Sequence, residues 1–238
     1  MFFQRFIYFT LFFFLSSPLK MLSQSLGCWN TLNISYDNGK KWSFSSELQL
    51  RSLQFYKNYN YNEYKGLVTY KIMPNLQTSI VLGRYTTYGN GKTFQNPKLA
   101  EEFRAAIQVG LKNTLGKVGV DHRYRFEKRF YTNGSRASRI RYRVGLTFPL
   151  DKSQKTNLGL SNEFLIAIIP GNTVLRYDKN RISVGVTRKM TDMVSMQVGF
   201  LNQYDSKSLD EPGNNFFVYS LFLNLSKLKH SHSLHSDN

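Results

Sequence analysis

The most constraining feature of this sequence is a sharp alternation of charged and apolar residues between residues 121 and 148. Before the loop at Asn133-Gly134, arginines and one glutamate occupy the odd positions, and mainly aromatic residues occupy the even ones. Arg139, Arg141 and Arg143 continue the pattern after the loop. A period of two indicates β-strands, and the loop predicts a hairpin. A sheet with one face nearly all charged and the other nearly all apolar requires a polar space on one side and an apolar medium on the other.

Composition supports many strands of this kind. The 238 residues include 15% aromatic and 20% charged side chains, a mixture typical of alternating strands. The formal net charge of +17, from 32 Lys and Arg against 15 Asp and Glu, favours nucleic acid or an anionic membrane surface as a partner. A single cysteine, Cys28, excludes an intramolecular disulfide.

Residues 1–25 are predicted to be a cleaved signal peptide. Arg5 provides the basic start, residues 6–15 form an apolar run, and Ser23 and Ser25 are small residues suited to a cleavage site. A signal anchor is the alternative, but the run is short of the roughly 20 apolar residues that a spanning helix needs. A lipoprotein signal ending at Cys28 is disfavoured, because Ser25 stands where an aliphatic residue is expected.

The alternation predicts ten strands between residues 41 and 228, with a disordered polar tail at residues 229–238. Short connections alternate with mostly longer ones rich in Asn, Gly, Asp and Lys, which is the layout of outer-membrane barrels. The short ones are 73–75, 113–114, 150–155 and 190–192, and the others are 56–60, 89–98, 131–137, 169–177 and 205–213. The predicted fold is all-β, an up-and-down antiparallel transmembrane barrel of about ten strands.

The segment at residues 26–40 stands outside this count. Its strand-like piece, Trp29 to Tyr36, lies in the lumen or the periplasm, or belongs to a barrel of twelve strands. In a barrel of ten strands both ends of the wall fall on the side of the short turns.

A soluble β-sandwich or a lipocalin-like barrel is the alternative fold. A soluble barrel would carry its apolar residues inside and expose fewer aromatic ones. In this sequence the polar faces concentrate arginine with single glutamate partners, as in a crowded, closed lumen. Aromatic residues near strand ends, such as Tyr61, Tyr88 and Tyr131, suit the girdles at the two membrane interfaces.

Six short motifs, in order along the chain, resemble a family of exported bacterial proteins, the domain-of-unknown-function family 2490. The resemblance spans roughly Trp29 to Ser226 and implies an outer-membrane barrel, but it implies no activity. The motifs are Glu47-x-x-x-Arg51, Glu102-Phe-Arg104, Arg123-x-Arg125-x-Glu127-x-Arg129, Arg139-x-Arg141-x-Arg143, Asn162-Glu163-Phe164 and Asn180-Arg181.

The residues predicted to face inward form an Arg/Glu set that fills the lumen as an ion-pair network. The alternative is an anion-selective pore or an anionic-ligand site, because nine arginines outnumber four glutamates. The thirteen are Glu47, Arg51, Glu102, Arg104, Arg123, Arg125, Glu127, Arg129, Arg139, Arg141, Arg143, Glu163 and Arg181.

Catalysis has weak support in the sequence, and we predict no catalytic residues, no cofactor and no metal. A Ser-His-acid set cannot be assembled from inward positions, since His122 falls on the outer face and the remaining histidines lie in the tail. A carboxylate pair such as Glu127 and Glu163 would stay ionised beside arginines, which does not suit a general acid. A metal at His230-x-His232-x-x-His235 is disfavoured, because a polar tail is more often disordered.

The sequence therefore predicts a monomeric barrel of the bacterial outer membrane with no assigned activity. Its expected partners are outer-membrane lipid, lipopolysaccharide and a small anionic solute, and not nucleic acid, since export makes contact with anionic head groups the better use of the basic loops. The alternatives are a soluble periplasmic ligand-binding β-barrel and a lipid-modifying outer-membrane enzyme.

Overall fold

The computed structural model describes residues 26–89, 94, 98–168, 174–206 and 214–227. The predicted signal peptide and polar tail lie outside these residues. Eleven strands and one short 3-10 turn, Leu225–Lys227, make up this part of the chain. The strands are β1 (Leu26–Asp37), β2 (Trp42–Gln54), β3 (Lys57–Lys71), β4 (Leu76–Tyr88), β5 (Lys98–Leu115), β6 (Val118–Tyr131), β7 (Arg136–Pro149), β8 (Thr156–Ile168), β9 (Leu175–Lys189), β10 (Val194–Asp205) and β11 (Asn214–Asn224).

These strands form a single closed barrel, which confirms the predicted all-β barrel class. Sequential strands pair antiparallel all the way round, and β1 closes the barrel against β11. That last pairing is parallel and runs from Leu26 opposite Asn215 to Ser35 opposite Asn224. A closed wall leaves no unpaired strand edge.

The described residues form eleven strands, one more than the ten counted in the sequence and one fewer than the alternative of twelve. The segment Trp29 to Tyr36 lies neither in the lumen nor outside the wall, but forms most of β1 between β2 and β11. Its alternation misleads because a large aromatic residue, Trp29, faces inward and a polar one, Asn30, has the opposite orientation. An odd count makes the closing pair parallel.

The odd count also separates the two ends of the wall. We call the rim at which β2 is joined to β3, β4 to β5, β6 to β7, β8 to β9 and β10 to β11 the loop end, and the opposite rim the turn end. Strand β1 begins at the loop end and β11 finishes at the turn end, which corrects the expectation that both lie with the short turns. The connections are also less unequal than predicted, because β2 and β3 are joined by Phe55 and Tyr56 alone.

The two faces of the wall differ in polarity. The outer face carries large apolar side chains such as Ile80, Ile107 and Ile182, each more than half exposed. The buried side chains are mostly polar or charged, including Gln108, Glu127 and many arginines and glutamates. Within the described ranges, no helix is long and apolar enough to cross a membrane.

Cysteine cross-linking will test the closure through β1. In a Cys28→Ala background, Leu32→Cys with Leu221→Cys should form a disulfide, because these residues are direct partners on neighbouring strands and strands lie about 4.8 Å apart. Non-reducing electrophoresis of the folded barrel reports the bond.

The control pair is Leu48→Cys with Leu221→Cys. Leu48 is the partner of Leu32 on β2, so two strand spacings of about 4.8 Å each separate it from β11, beyond the reach of a disulfide, about 7 Å between Cα atoms. Cross-linking of the control pair instead of the test pair would show that β2 meets β11 directly, as in a ten-stranded barrel.

Candidate functional site

Glu127 on β6 is the centre of a cluster inside the barrel and is only 1% exposed. Arg139 donates hydrogen bonds from Nη2 and Nε to Glu127 Oε2 at 2.6 and 3.0 Å. Arg141 donates from Nη1 to Oε1 at 2.8 Å, and Arg125 Nη1 lies 3.5 Å from the same oxygen. A buried carboxylate is tolerated when it is paired and fully hydrogen-bonded, so this carboxylate and its arginines depend on one another.

A second buried carboxylate, Glu163 on β8, extends this cluster around the wall. Arg141 donates from Nη2 to Glu163 Oε2 at 2.8 Å, and Arg181 Nη1 on β9 lies 3.3 Å from the same oxygen. Arg123 Nη2 on β6 donates to the other carboxylate oxygen. Because Arg141 bonds both Glu127 and Glu163, one continuous network spans β6 to β9.

A third carboxylate, Glu102 on β5, lies nearer the loop end. Arg129 holds it with two parallel bonds, Nε to Oε2 at 2.6 Å and Nη2 to Oε1 at 2.9 Å. Arg104 adds a bond from Nη2 at 2.5 Å. This fork geometry fixes the plane of each guanidinium as well as its position.

The structure places all thirteen predicted residues inside the barrel, where each lines a cavity or bonds a buried partner. Ten of them form ion pairs with another member of the set. The other three pair with residues outside it. Lys65 Nζ on β3 donates to Glu47 Oε1 at 2.6 Å, Arg51 Nη2 lies 3.8 Å from Glu63, and Arg143 bonds Asp121.

Sequence reasoning left out several charged residues of the same interior. Glu63 is 5% exposed and accepts a hydrogen bond from Lys65 Nζ at 2.8 Å. Asp121 accepts a bond from Arg143 at 2.7 Å, and it fits there because Gly145 has no Cβ, which would lie 2.3 Å from the Asp121 carboxylate. Glu63 and Asp121 stand at the same alternate positions as the inward residues of their strands, so the alternation could have predicted that they face inward.

Aromatic rings also orient two arginines of the interior. The guanidinium carbon of Arg51 lies 3.5 Å from the ring centre of Trp29 and 4.0 Å from that of Tyr61. Arg104 lies 3.7 Å from the ring centre of Tyr85. Such cation–π contacts gain strength where water is excluded. They were not foreseen, because Trp29 belongs to the segment that was left out of the strand count.

A cavity of about 180 Å³ lies at mid-height in the barrel, and we call it the central cavity. Its lining includes seven basic and three acidic side chains, so its electrostatic potential is positive. The basic ones are Arg51, Lys65, Arg104, Arg123, Arg141, Arg143 and Arg181, and the acidic ones are Glu47, Glu63 and Glu163.

Five buried donors in the lining of the central cavity have no hydrogen-bond partner within the described part of the chain. They are the Nε2 of Gln49 and the Nε of Arg51, Arg104, Arg123 and Arg143. A buried donor without an acceptor costs about 1–3 kcal/mol. Five of them around one small space therefore favour an acceptor-rich occupant.

A second cavity, of about 370 Å³, opens towards the loop end, and we call it the loop-side cavity. Arg129, Tyr131 and Asp178 line it. Arg51, Arg104 and Arg181 line both cavities and so form the boundary between them. These two basic compartments of the interior thus meet at three arginines.

Metal ligation has no candidate among the described residues, which include no group of three or more His, Cys, Asp or Glu side chains placed to hold an ion. His122 hydrogen-bonds the Tyr142 hydroxyl at 2.9 Å on the outer face. The histidines at 230, 232 and 235 lie outside the described residues.

Fold and interior together define a closed β-barrel with an apolar outer face and an arginine-rich interior. The chain belongs to the DUF2490 family, described as proteins of unknown function, which it matches over residues 26–212. This confirms the resemblance noted in the sequence.

Other comparisons add little. No curated protein matches the chain. Among solved structures, an anion-selective porin from Comamonas acidovorans is similar at 15% sequence identity and a TM-score of 0.34, over 74% of this chain and 51% of the porin. The chain therefore spans about half the length of that porin, and a likeness of this degree says nothing about what the chain binds.

Substitution of Glu127 will measure how far the fold depends on the interior network. Glu127→Gln should lower the free energy of unfolding by about 3–5 kcal/mol, because it leaves buried arginines without a counter-charge. Urea unfolding of the detergent-solubilised barrel, followed by intrinsic fluorescence, reports the change.

The matched control removes a carboxylate of the exposed turn between β9 and β10. Asp192 accepts a hydrogen bond from Lys189 at 2.5 Å, and both side chains are exposed. Asp192→Asn should change stability by at most about 1 kcal/mol. An equal loss in both variants would contradict a structural role for the interior pairing.

Proposed function

We propose that the protein is a barrel of the bacterial outer membrane whose interior binds a small anion. The polarity of the two faces of the wall supports the membrane location. Exposed side chains such as Ile80, Leu82 and Ile107 form an apolar outer surface, and soluble monomers rarely expose apolar patches larger than a few hundred Å². The polar interior is the inverse of a soluble barrel.

Closure of the wall supports the same location. In hydrocarbon every backbone N–H and C=O must find a partner within the protein, and a closed barrel meets that demand. Antiparallel and parallel ladders together complete the circuit from β1 to β11. Aromatic side chains near the rims, such as Trp42, Tyr177 and Tyr204, suit the two interfaces.

Fractionation of cells will test the location. The protein should be recovered with outer membranes, and unboiled samples should migrate differently from boiled ones in electrophoresis, because detergent-resistant barrels unfold only on heating. Recovery in the soluble periplasmic fraction would support a soluble ligand-binding barrel instead.

The observation that carries the anion site is the group of five unpartnered donors on side chains that line the central cavity. Four are guanidinium N–H groups, and a negatively charged oxygen is the acceptor that such groups bind most strongly. The surplus of basic side chains in the lining adds an attraction that is weakly screened, since the groups are buried. The site therefore favours a compact anion with several oxygens.

Size limits the ligand further. A space of about 180 Å³ is large enough for several water molecules, each of which needs about 10–15 Å³ of such a space. This volume fits a phosphate, a sulfate or a small carboxylate.

An anion-selective pore is the second candidate. Arg51, Arg104 and Arg181 line both cavities, so an anion leaving one compartment enters the other past these side chains. The Arg/Glu network would then set selectivity, as charged rings do in other pores. We favour a closed binding site, because buried partners on the same or the neighbouring strand fix Arg104, Arg125 and Arg139 inside the lumen.

Titration with inorganic phosphate will test the anion site. Arg123→Gln should weaken binding at least about tenfold, since a hydrogen bond to a charged group contributes about 1.5–3 kcal/mol and this residue lines only the central cavity of the two. Isothermal calorimetry on the purified barrel in a zwitterionic detergent provides the affinity.

The matched control is Arg129→Gln. Both arginines lie on β6, each pairs with one glutamate, and their side chains are 22% and 20% exposed, but Arg129 lines the loop-side cavity. Equal weakening in both variants would contradict a site in the central cavity. A steady anion-selective current through the wild-type barrel in planar bilayers would contradict a closed site and support the pore.

A further inference from the structure

The outer face of the wall is charged in one region. Near the loop end of β4 to β7, four basic side chains point away from the interior, and we call them the outer basic patch. They are Arg84, Lys98, Lys128 and Arg136, and all four are exposed. Glu101, which accepts hydrogen bonds from Arg84 and Lys98, is the acidic residue among them.

Strand register places the patch in one continuous surface. Arg84 is the direct partner of Phe103, Phe103 of Phe130, and Phe130 of Arg136. Two arginines thus stand at the ends of a row across four strands, about 14 Å apart at about 4.8 Å per strand, with two phenylalanines between them. Lys128 lies next to Phe130 along the outer face of β6.

A surface cavity of about 410 Å³ adjoins the Arg84 end of this row. Asn62, Tyr64, Thr86 and Tyr88 line it beside the charged side chains of Arg84, Lys98 and Glu101. Glu101 holds the two basic groups together and leaves their remaining donors exposed, since Arg84 and Lys98 are 66% and 49% exposed. The cavity thus combines hydrogen-bond donors with aromatic walls.

The other half of the patch is not neutralised by the protein. Within the described part of the chain, Lys128 and Arg136 form no ion pair, and Arg136 lies 5.9 Å from the ring centre of Phe130. A basic residue on the outside of a membrane barrel costs about 2–4 kcal/mol at mid-depth and little at the interface. Lys128 lies three residues from the end of β6, at the depth where head groups supply counter-charge.

We propose that the outer basic patch binds the phosphate groups of lipopolysaccharide in the membrane leaflet at the loop end. Phosphates pair with Arg84, Lys98, Lys128 and Arg136, while the phenylalanine row packs against the acyl chains. The inference rests on the proposed membrane location but not on the anion site of the interior. A phosphorylated glycolipid suits the patch better than a single phosphate, because the basic groups lie at both ends of an apolar row.

Binding of lipopolysaccharide to the full-length processed barrel in phosphatidylcholine nanodiscs will test the proposal. Lipopolysaccharide with a bisphosphorylated lipid A should bind more tightly than the same glycolipid after enzymatic dephosphorylation. The double variant Lys128→Gln, Arg136→Gln should weaken binding about 25-fold, since each basic group near a membrane surface contributes about fivefold. Native mass spectrometry of the nanodiscs provides the bound fraction.

Arg188→Gln is the matched control. Arg188 is an exposed basic residue of β9 that hydrogen-bonds Thr156 at the turn end, so its loss should leave binding unchanged. Equal binding of phosphorylated and dephosphorylated lipid, or an equal loss in the control, would overturn the proposal while the membrane location stands. A barrel that does not enter nanodiscs at all would overturn both. Lys128→Arg should keep wild-type affinity, which separates loss of charge from misfolding.

Discussion

The double hydrogen bonding of Arg141, to Glu127 on one side and Glu163 on the other, is the interaction on which the interior depends. A barrel with an apolar outside has no apolar core to stabilise it in the usual way. Its inner side chains must instead satisfy one another, because an unpaired charge in a narrow, buried space is costly. Backbone hydrogen bonds close the wall, and the network of guanidinium and carboxylate groups occupies the lumen.

The alternation in the sequence was sufficient to predict the barrel and the inward orientation of the arginines. Side-chain parity is fixed by the strand, so Arg123, Arg139 and Arg181 could be placed without coordinates. Partners could not be placed in this way, since they depend on register and on the curvature of the wall. Glu47 therefore meets Lys65, although arginines were expected to face it.

The strand that sequence reasoning did not place shows where alternation fails. In β1 the inward-facing Trp29, near the loop end, packs against Phe216 and Arg51 rather than against an apolar medium. An aromatic ring that stacks on guanidinium groups inside the barrel looks, in the sequence alternation, like an apolar residue of the outer face. Arg84 is the converse case, a basic residue on the outer face beside Glu101.

Because the number of strands is odd, the first strand begins and the last strand ends at opposite rims of the barrel. Because β1 and β11 run parallel, a reporter fused ahead of Leu26 and another fused after Lys227 would emerge at opposite rims. A barrel with an even number of strands presents both fusions to the same compartment. Both strands of the closing pair thus start at the loop end, so the chain crosses the height of the barrel an odd number of times between its first and last strand residues.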